Sequence, residues 1–209
     1  MPGWEYKLWN EDNYDLNSIA YTKEAYEAKK YAFVSDYVRL WALYTEGGLY
    51  LDTDVEVFKP FDDLMTYSAF GGFEGSKHLP LGTCIMASAQ NGVWVKEQLD
   101  YYTDRHFLLS DGSFDLTTNV QFISAKMQKQ GFVQNGFEQD YKDLHVFPVE
   151  YFCPRHTTGE YIRTDKTYCD HLGMASWNGQ AGGWKSMVGE LVGPPMMTRL
   201  IKLKRKLFG

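Results

Sequence analysis

The sequence predicts an α/β fold with a mainly parallel central sheet flanked by helices. Three observations carry this. Strand-like apolar runs alternate with helical segments along the chain, a pattern that builds sheets covered by helices. A helix, a glycine stop and a strand follow one another without a linker from Ser35 to Val57, SDYVRLWALYTEGGLYLDTDVEV. Asp52 and Asp54 stand where that strand ends, and open α/β sheets bind ligands beyond the carboxyl ends of their strands.

The elements follow in chain order. Trp4 to Trp9 mixes large and charged residues as a half-buried strand does, and Asn10 to Asn13 breaks it. Thr22 to Lys30 reads as a helix with Thr22 as its N-cap. Tyr31 to Glu46 is a second helix or an extension of the first. Its Val34, Tyr37, Val38, Trp41 and Tyr44 recur near helical spacing and face the core. Gly47-Gly48 ends it, because glycine takes the left-handed cap conformation at no steric cost. Leu49 to Asp52 is a buried strand, and Val55 to Phe58 is extended. Pro60 to Leu64 turns. Ala69 to Phe73 and Thr83 to Ala87 are further strands. Gly92 to Thr103 and Thr118 to Gln130 are helices, the latter with a polar start suited to capping. Val146 to Val149 is a short extended segment, and Phe152 to Asp170 is rich in loops. The sequence divides into a single domain over 1–195 and a basic C-terminal helix over 196–209.

Composition bounds the function. With 209 residues, 44% hydrophobic and 16% aromatic, the chain can build one substantial core. A net charge of −6 argues against a general nucleic-acid binder, which needs a basic face. Cys84, Cys153 and Cys169 cannot all pair within one chain, so a reducing compartment is expected, in the cytoplasm or at the inner face of a membrane. No apolar run approaches the ~20 residues of a spanning helix. Arg199, Lys202, Lys204, Arg205 and Lys206 give residues 198–209 the charge to lie on an anionic membrane surface; the plain alternative is a solvated terminal helix.

The chemistry gathers at the two aspartates. Carboxylates are costly beside an apolar strand unless something positive compensates them. Side chains two apart on a strand share a face, so Asp52 and Asp54 can aim at one point. Two hard oxygen donors suit Mn²⁺ or Mg²⁺, which commonly take phosphate oxygens as further ligands. The bare tripeptide fits a solvated turn equally well; the apolar strand and glycine pair before it favour the metal. Asp36 and Arg39 are neighbours three apart on the preceding helix. They can bind a phosphate or sugar hydroxyls, or form an ordinary ion pair. His171 can complete the coordination of a borderline cation. Trp177 can stack on a ring. Cys153 with His156 and Cys169 with His171 also offer two Cys/His pairs, but the second has only one intervening residue, which fits zinc spacing poorly.

These residues resemble glycosyltransferase family 32, the Asp-X-Asp sugar transferases, and most nearly its bacterial members of capsular-polysaccharide biosynthesis. The resemblance rests on Ala32 to Leu40, on Gly47 to Asp54, and on Tyr151-Phe152-Cys153-Pro154. It continues through Thr167 to His171 and Ser176-Trp177. It implies a Rossmann-like fold of the GT-A type, a divalent metal and transfer of a sugar from a nucleotide-sugar with retention. Carried over, Asp52, Asp54 and His171 hold the metal, and Asp36 and Arg39 contact the donor sugar. Gly48, Tyr50, Asn119, Ser176 and Trp177 join them in donor binding. UDP-hexoses come before GDP-mannose as donor, and the acceptor is a glycan or a lipid-linked sugar. Relatives open with a strand before the Trp4 segment, which here follows only Met1-Pro2-Gly3, so the sheet is expected to lack its usual first strand. Relatives also carry a histidine where Asp170 stands. A catalytically weak nucleotide-sugar-binding relative and a protein-modifying effector are the competing readings.

Overall fold

The computed structural model describes residues 1–75, 81–154, 161, 163–172 and the backbone of 200–205. β1 (Trp4–Trp9) opens the chain, anchored by its two buried tryptophans. Two separate helices follow, α1 (Ala20–Glu27) and α2 (Tyr31–Glu46), divided at Lys29, whose φ of 58° is left-handed. Thr22 does not cap α1. It lies inside the helix, and its hydroxyl donates to the carbonyls of Leu16 (2.9 Å) and Ile19 (3.2 Å).

α2 is the spine of the molecule. Val34, Val38 and Leu40 are fully buried, and each such side chain contributes about 1.5–3 kcal/mol over its exposed state. The helix packs against β2 (Gly48–Leu51), into which it turns through Gly47. After β3 (Val55–Val57) a short 3-10 turn leads to β4 (Ala69–Gly72) and β5 (Ile85–Ser88). α3 (Val93–Asp100) and α4 (Asn119–Lys129) come next. At the start of α4 the Thr118 N–H donates to Gln121 Oε1 (3.0 Å), a side-chain cap of the kind its polar start predicts. β6 (Gln139–Tyr141), β7 (Leu144–Phe147), α5 (Val149–Phe152), β8 (Cys169–His171) and β9 (Leu200–Arg205) complete the described chain.

The mixed α/β class holds, but the sheet is not mainly parallel. Its seven strands run in the order β1-β9-β2-β5-β4-β7-β6, and among the described residues only β4 and β7 pair parallel. The connections explain this. A parallel pair needs a crossover of a dozen or more residues, usually helical. β4 and β7 have α3 and α4 between them; β6 and β7 are joined by a tight reversal at Lys142, φ 56°.

Residues 200–205, expected within a basic helix, are a strand. β9 pairs antiparallel with β1 from Trp4↔Arg205 to Trp9↔Leu200, and touches β2 at Leu49↔Leu203. The position beside β2 is thus taken by the C-terminal strand. Held between two strands, 200–205 has no helical face to lay on a membrane. The rest of 196–209 lies outside the described residues, and no described helix is long and apolar enough to cross a membrane.

Gly47 carries the turn from α2 to β2. Its φ of 67° and ψ of −172° fall in a region open essentially to glycine alone. A Cβ there would also stand 2.6 Å from the Gln90 backbone nitrogen. Gly47→Ala should therefore cost at least about 2 kcal/mol, measured as a lowered midpoint of urea unfolding.

Candidate functional site

The site begins where β2 ends. Asp52 follows Leu51, and its N–H donates to the Cys84 carbonyl (2.8 Å), extending the β2–β5 ladder by one bond. The Val55 N–H then donates to the Asp52 carbonyl (3.2 Å), closing a turn over Asp52-Thr53-Asp54. The two aspartates therefore converge through a turn between β2 and β3, not through strand alternation as the sequence predicts. Opposite lies β8, paired antiparallel with β3 so that His171 faces Val55. The Leu172 N–H donates to the Asp54 carbonyl (2.9 Å), and His171 Nε2 stands 3.4 Å from Asp54 Oδ1. One ligand atom each from Asp52, Asp54 and His171 lies within 4.8 Å of the others. Two carboxylates and an imidazole, all half-buried, are a donor set that fits Mn²⁺ or Mg²⁺. Asp170, fully buried, is not in the group, as expected for the strand neighbour whose side chain alternates away from that of His171.

Arg39 joins α2 to this turn. Its Nη1 stands 3.2 Å from Asp52 Oδ1 and its Nη2 3.2 Å from Asp36 Oδ1. Its remaining capacity is also engaged: Nε donates to the Ser35 carbonyl (3.2 Å), Nη1 to the Thr83 carbonyl (2.9 Å) and Nη2 to Ser35 Oγ (3.2 Å). The guanidinium lies 4.6 Å from the centre of the Tyr50 ring, and the Tyr50 hydroxyl donates to Asp52 Oδ1. Asp36 and Arg39, 8% and 6% exposed, are thus a buried pair and not a surface one. Asn119, the first residue of α4, clamps Asp36 twice. Its N–H donates to Asp36 Oδ2 (3.1 Å) and its Nδ2 to the Asp36 carbonyl (2.7 Å), while its Oδ1 accepts from Tyr102 (2.7 Å). A carboxylate at a helix N-terminus is stabilised by the orphan N–H groups there. Gly48 opens β2 opposite Ser88. Ser176 and Trp177 lie outside the described residues.

Burial and charge oppose each other here. Burial pushes the Asp36 carboxyl up to about 6, against the pull of Arg39 and of the Asn119 N–H. Burial works against the Arg39 charge, but Asp52, Tyr50 and Asp36 hold it firmly protonated. Burial also lowers His171, yet hydrogen bonds to Asp54 and Cys84 outweigh this and lift it to about 11. The protonated imidazole sets a positive charge beside Asp54.

Sequence reasoning missed Cys84, Glu74 and Thr83. Cys84 Sγ lies 3.3 Å from Cys153 Sγ, and both thiols lie within 4.8 Å of a His171 ring nitrogen. The hydrogen bond to Cys153 and burial push the Cys84 thiol well above its usual range. Lone cysteines far apart in sequence carry no spacing signal that could have joined them.

Removing Arg39 should expose how much it holds. Arg39→Met leaves Asp36 and Asp52 facing each other, at a cost of about 3–5 kcal/mol at neutral pH. The Asp36→Asn/Arg39→Met double variant should recover part of it in a double-mutant cycle. Asp36 carries its own pH dependence. Because its folded pKa of about 6 is above the unfolded value, its contribution is complete below about pH 4 and lost as pH rises through the folded value. Asp36→Asn should therefore gain on the wild type between about pH 4 and about pH 7 in urea titrations.

Comparison with known proteins bears on this geometry. Residues 1–70 match the family model described as a glycosyltransferase sugar-binding region containing DXD motif. The matched segment runs from β1 into β4 and holds Asp36, Arg39, Asp52 and Asp54. Glucan organizing enzyme 1 of the fungus Cryptococcus neoformans is 38% identical over 82 residues, which are 35% of this chain and 22% of that protein. The chain thus matches about a fifth of that relative's length. That relative is fungal, and the comparison lends no support to the expected likeness to bacterial members. No solved structure matches the chain significantly. Residues 1–70, a third of the chain, are thus similar to the glycosyltransferase sugar-binding regions that contain the DXD motif.

Proposed function

We propose that this protein is a retaining glycosyltransferase that moves a hexose from a nucleotide-sugar, a UDP-hexose before GDP-mannose, to a glycan or lipid-linked acceptor. The observation that carries this reading is the convergence of Asp52, Asp54 and His171 donor atoms within 4.8 Å of one another at the end of β2. These three residues would hold Mn²⁺ or Mg²⁺. Such an ion supplies Lewis-acid stabilisation of the charge that grows on a departing diphosphate.

The chain's own residues do the positioning. Asp52 has one carboxylate oxygen committed to Tyr50 and Arg39, so its orientation is set before any ligand arrives. Preorganisation of that kind avoids reorganisation during reaction. Arg39 is a positioning residue with few donors to spare. Asp36, held by Arg39 and Asn119, is the acceptor best suited to sugar hydroxyls beside Asp52. No described side chain stands out as a covalent nucleophile, which favours displacement on one face of the sugar. The bond from the anomeric carbon to the phosphate oxygen breaks as the acceptor oxygen bonds to that carbon. The acceptor proton passes to the departing phosphate. The work belongs in the cytoplasm, where nucleotide-sugars are available to a chain with unpaired cysteines.

A screen of UDP- and GDP-sugars with Mn²⁺, reading donor hydrolysis and transfer, tests this. Asp54→Ala should lower kcat/KM by at least about 100-fold, since loss of even an outer partner of a metal ligand costs 10–100-fold. It should also abolish Mn²⁺ binding seen by electron paramagnetic resonance. Thr53→Ala, at an exposed position, should stay within about twofold. Donor binding without turnover would point to the weak binding relative. Turnover unchanged in Asp54→Ala would end the assignment.

A further inference from the structure

Cys84 and Cys153 do not behave as packing residues alone. A buried free cysteine normally serves as a small hydrophobe. Cys169 does so: it is fully buried, its thiol turned to the Phe152 carbonyl (3.5 Å), and it joins no donor group among the described residues. Cys84 and Cys153, 1% and 6% exposed, instead point their sulfurs at each other. An imidazole and a carboxylate meet them there. Ligand atoms of Glu74, Cys84, Cys153 and His171 all lie within 4.8 Å of one another. The Glu74 carboxylate, half-buried just beyond β4, forms no hydrogen bond or ion pair with any described residue. Among the described residues His171 and Arg39 act on this carboxylate through their charge alone.

We propose that Glu74, Cys84, Cys153 and His171 form a second cation site, one for thiophilic divalent ions of the Zn²⁺ class. The donor chemistry selects the ion. Two sulfurs, one nitrogen and one oxygen are the ligands Zn²⁺ takes in tetrahedral sites, whereas Mn²⁺ and Mg²⁺ prefer oxygen. The geometry is close. Two thiolates at about 2.3 Å from one tetrahedral ion stand about 3.8 Å apart, so the sulfurs need to open by only about half an ångström from the observed 3.3 Å. The ligands come from the end of β4, the approach to β5, the end of α5 and β8, so one ion would fasten four segments. Binding deprotonates both thiols and releases their protons to solvent. Because His171 also faces Asp54, an ion here draws on the same imidazole as the acidic set. The site stands whether or not the chain transfers sugar.

The test uses the full chain, reduced and metal-free, with Cd²⁺ as probe. The expected result is an ultraviolet thiolate-to-cadmium absorption band that saturates at one ion per chain, accompanied by proton release. The band should persist in Asp52→Asn/Asp54→Asn, which removes the acidic set, and in Cys169→Ser. It should vanish in Cys84→Ser/Cys153→Ser. Should that buried pair of changes prevent folding, Glu74→Gln is the second probe, with Cd²⁺ bound at least about tenfold more weakly. No band in the reduced wild type, a band surviving Cys84→Ser/Cys153→Ser, or unchanged affinity in Glu74→Gln would overturn the site. So would loss of the band in Asp52→Asn/Asp54→Asn, which would assign the ion to the acidic set.

Discussion

One guanidinium holds the candidate site together. Arg39 stands 3.2 Å from a carboxylate on α2 and 3.2 Å from another at the end of β2, with the Thr83 carbonyl as a third anchor. Desolvating these charges costs several kcal/mol per ion, and their attraction offsets that only when geometry and hydrogen bonds are nearly complete. Here they are. Ser35 supplies two acceptors from the same helix, Tyr50 lies under the cation, and Asn119 meets Asp36. The net contribution of such a network to stability is small. Its value is uniqueness, because few other packings would satisfy all of these groups, so the direction of Asp52 is fixed.

The second constraint is how a residue from the far end of the described chain arrives at the same point. β3 and β8 form a separate two-stranded sheet. It is tied down where the Phe58 N–H donates to Tyr168 (2.8 Å) and the Tyr168 N–H donates to Tyr151 (2.7 Å). That sheet delivers His171 to Asp54. The same extension of the β2–β5 ladder that holds Asp52 also sets Cys84 beside it. The hard and soft donor sets are therefore neighbours for a backbone reason, and His171 belongs to both.

What the sequence revealed follows from how local each signal is. α2, its glycine stop, β2 and the paired aspartates were legible because periodicity, cap chemistry and an apolar run all lie within one window. Asp36 and Arg39 were legible as neighbours on a helix; that both would be buried was not, since burial depends on where α4 docks. Strand direction was misread because it depends on which strands neighbour each other, which alternation of elements does not fix. Residues 200–205, LIKLKR, combine good helix formers with an apolar-basic alternation, and pairing with β1 and β2 decided for the strand. Thr22 reads as a cap by type, yet it lies inside the helix and its hydroxyl is spent on the carbonyls of Leu16 and Ile19 just before it. Cys84 gave no signal at all, because its partners come from β4, α5 and β8.

The register between helix and strand accounts for the rest of the site's geometry. From Arg39 to Glu46 the helix advances about 10 Å at 1.5 Å per residue. From Gly48 to Asp52 the chain returns about 13 Å at 3.3 Å per residue. The two paths nearly cancel, so residues distant in sequence meet at 3.2 Å. This works only if the reversal takes almost no length, and Gly47 provides that by letting the backbone turn against Ser88 and Gln90 without a side chain between them. One residue added to β2 would carry Asp52 about 3.3 Å past the guanidinium and turn its carboxylate to the opposite face. The glycine, the length of the helix beyond Arg39 and the length of the strand before Asp52 are therefore one device, and the paired aspartates have meaning only at the end of it.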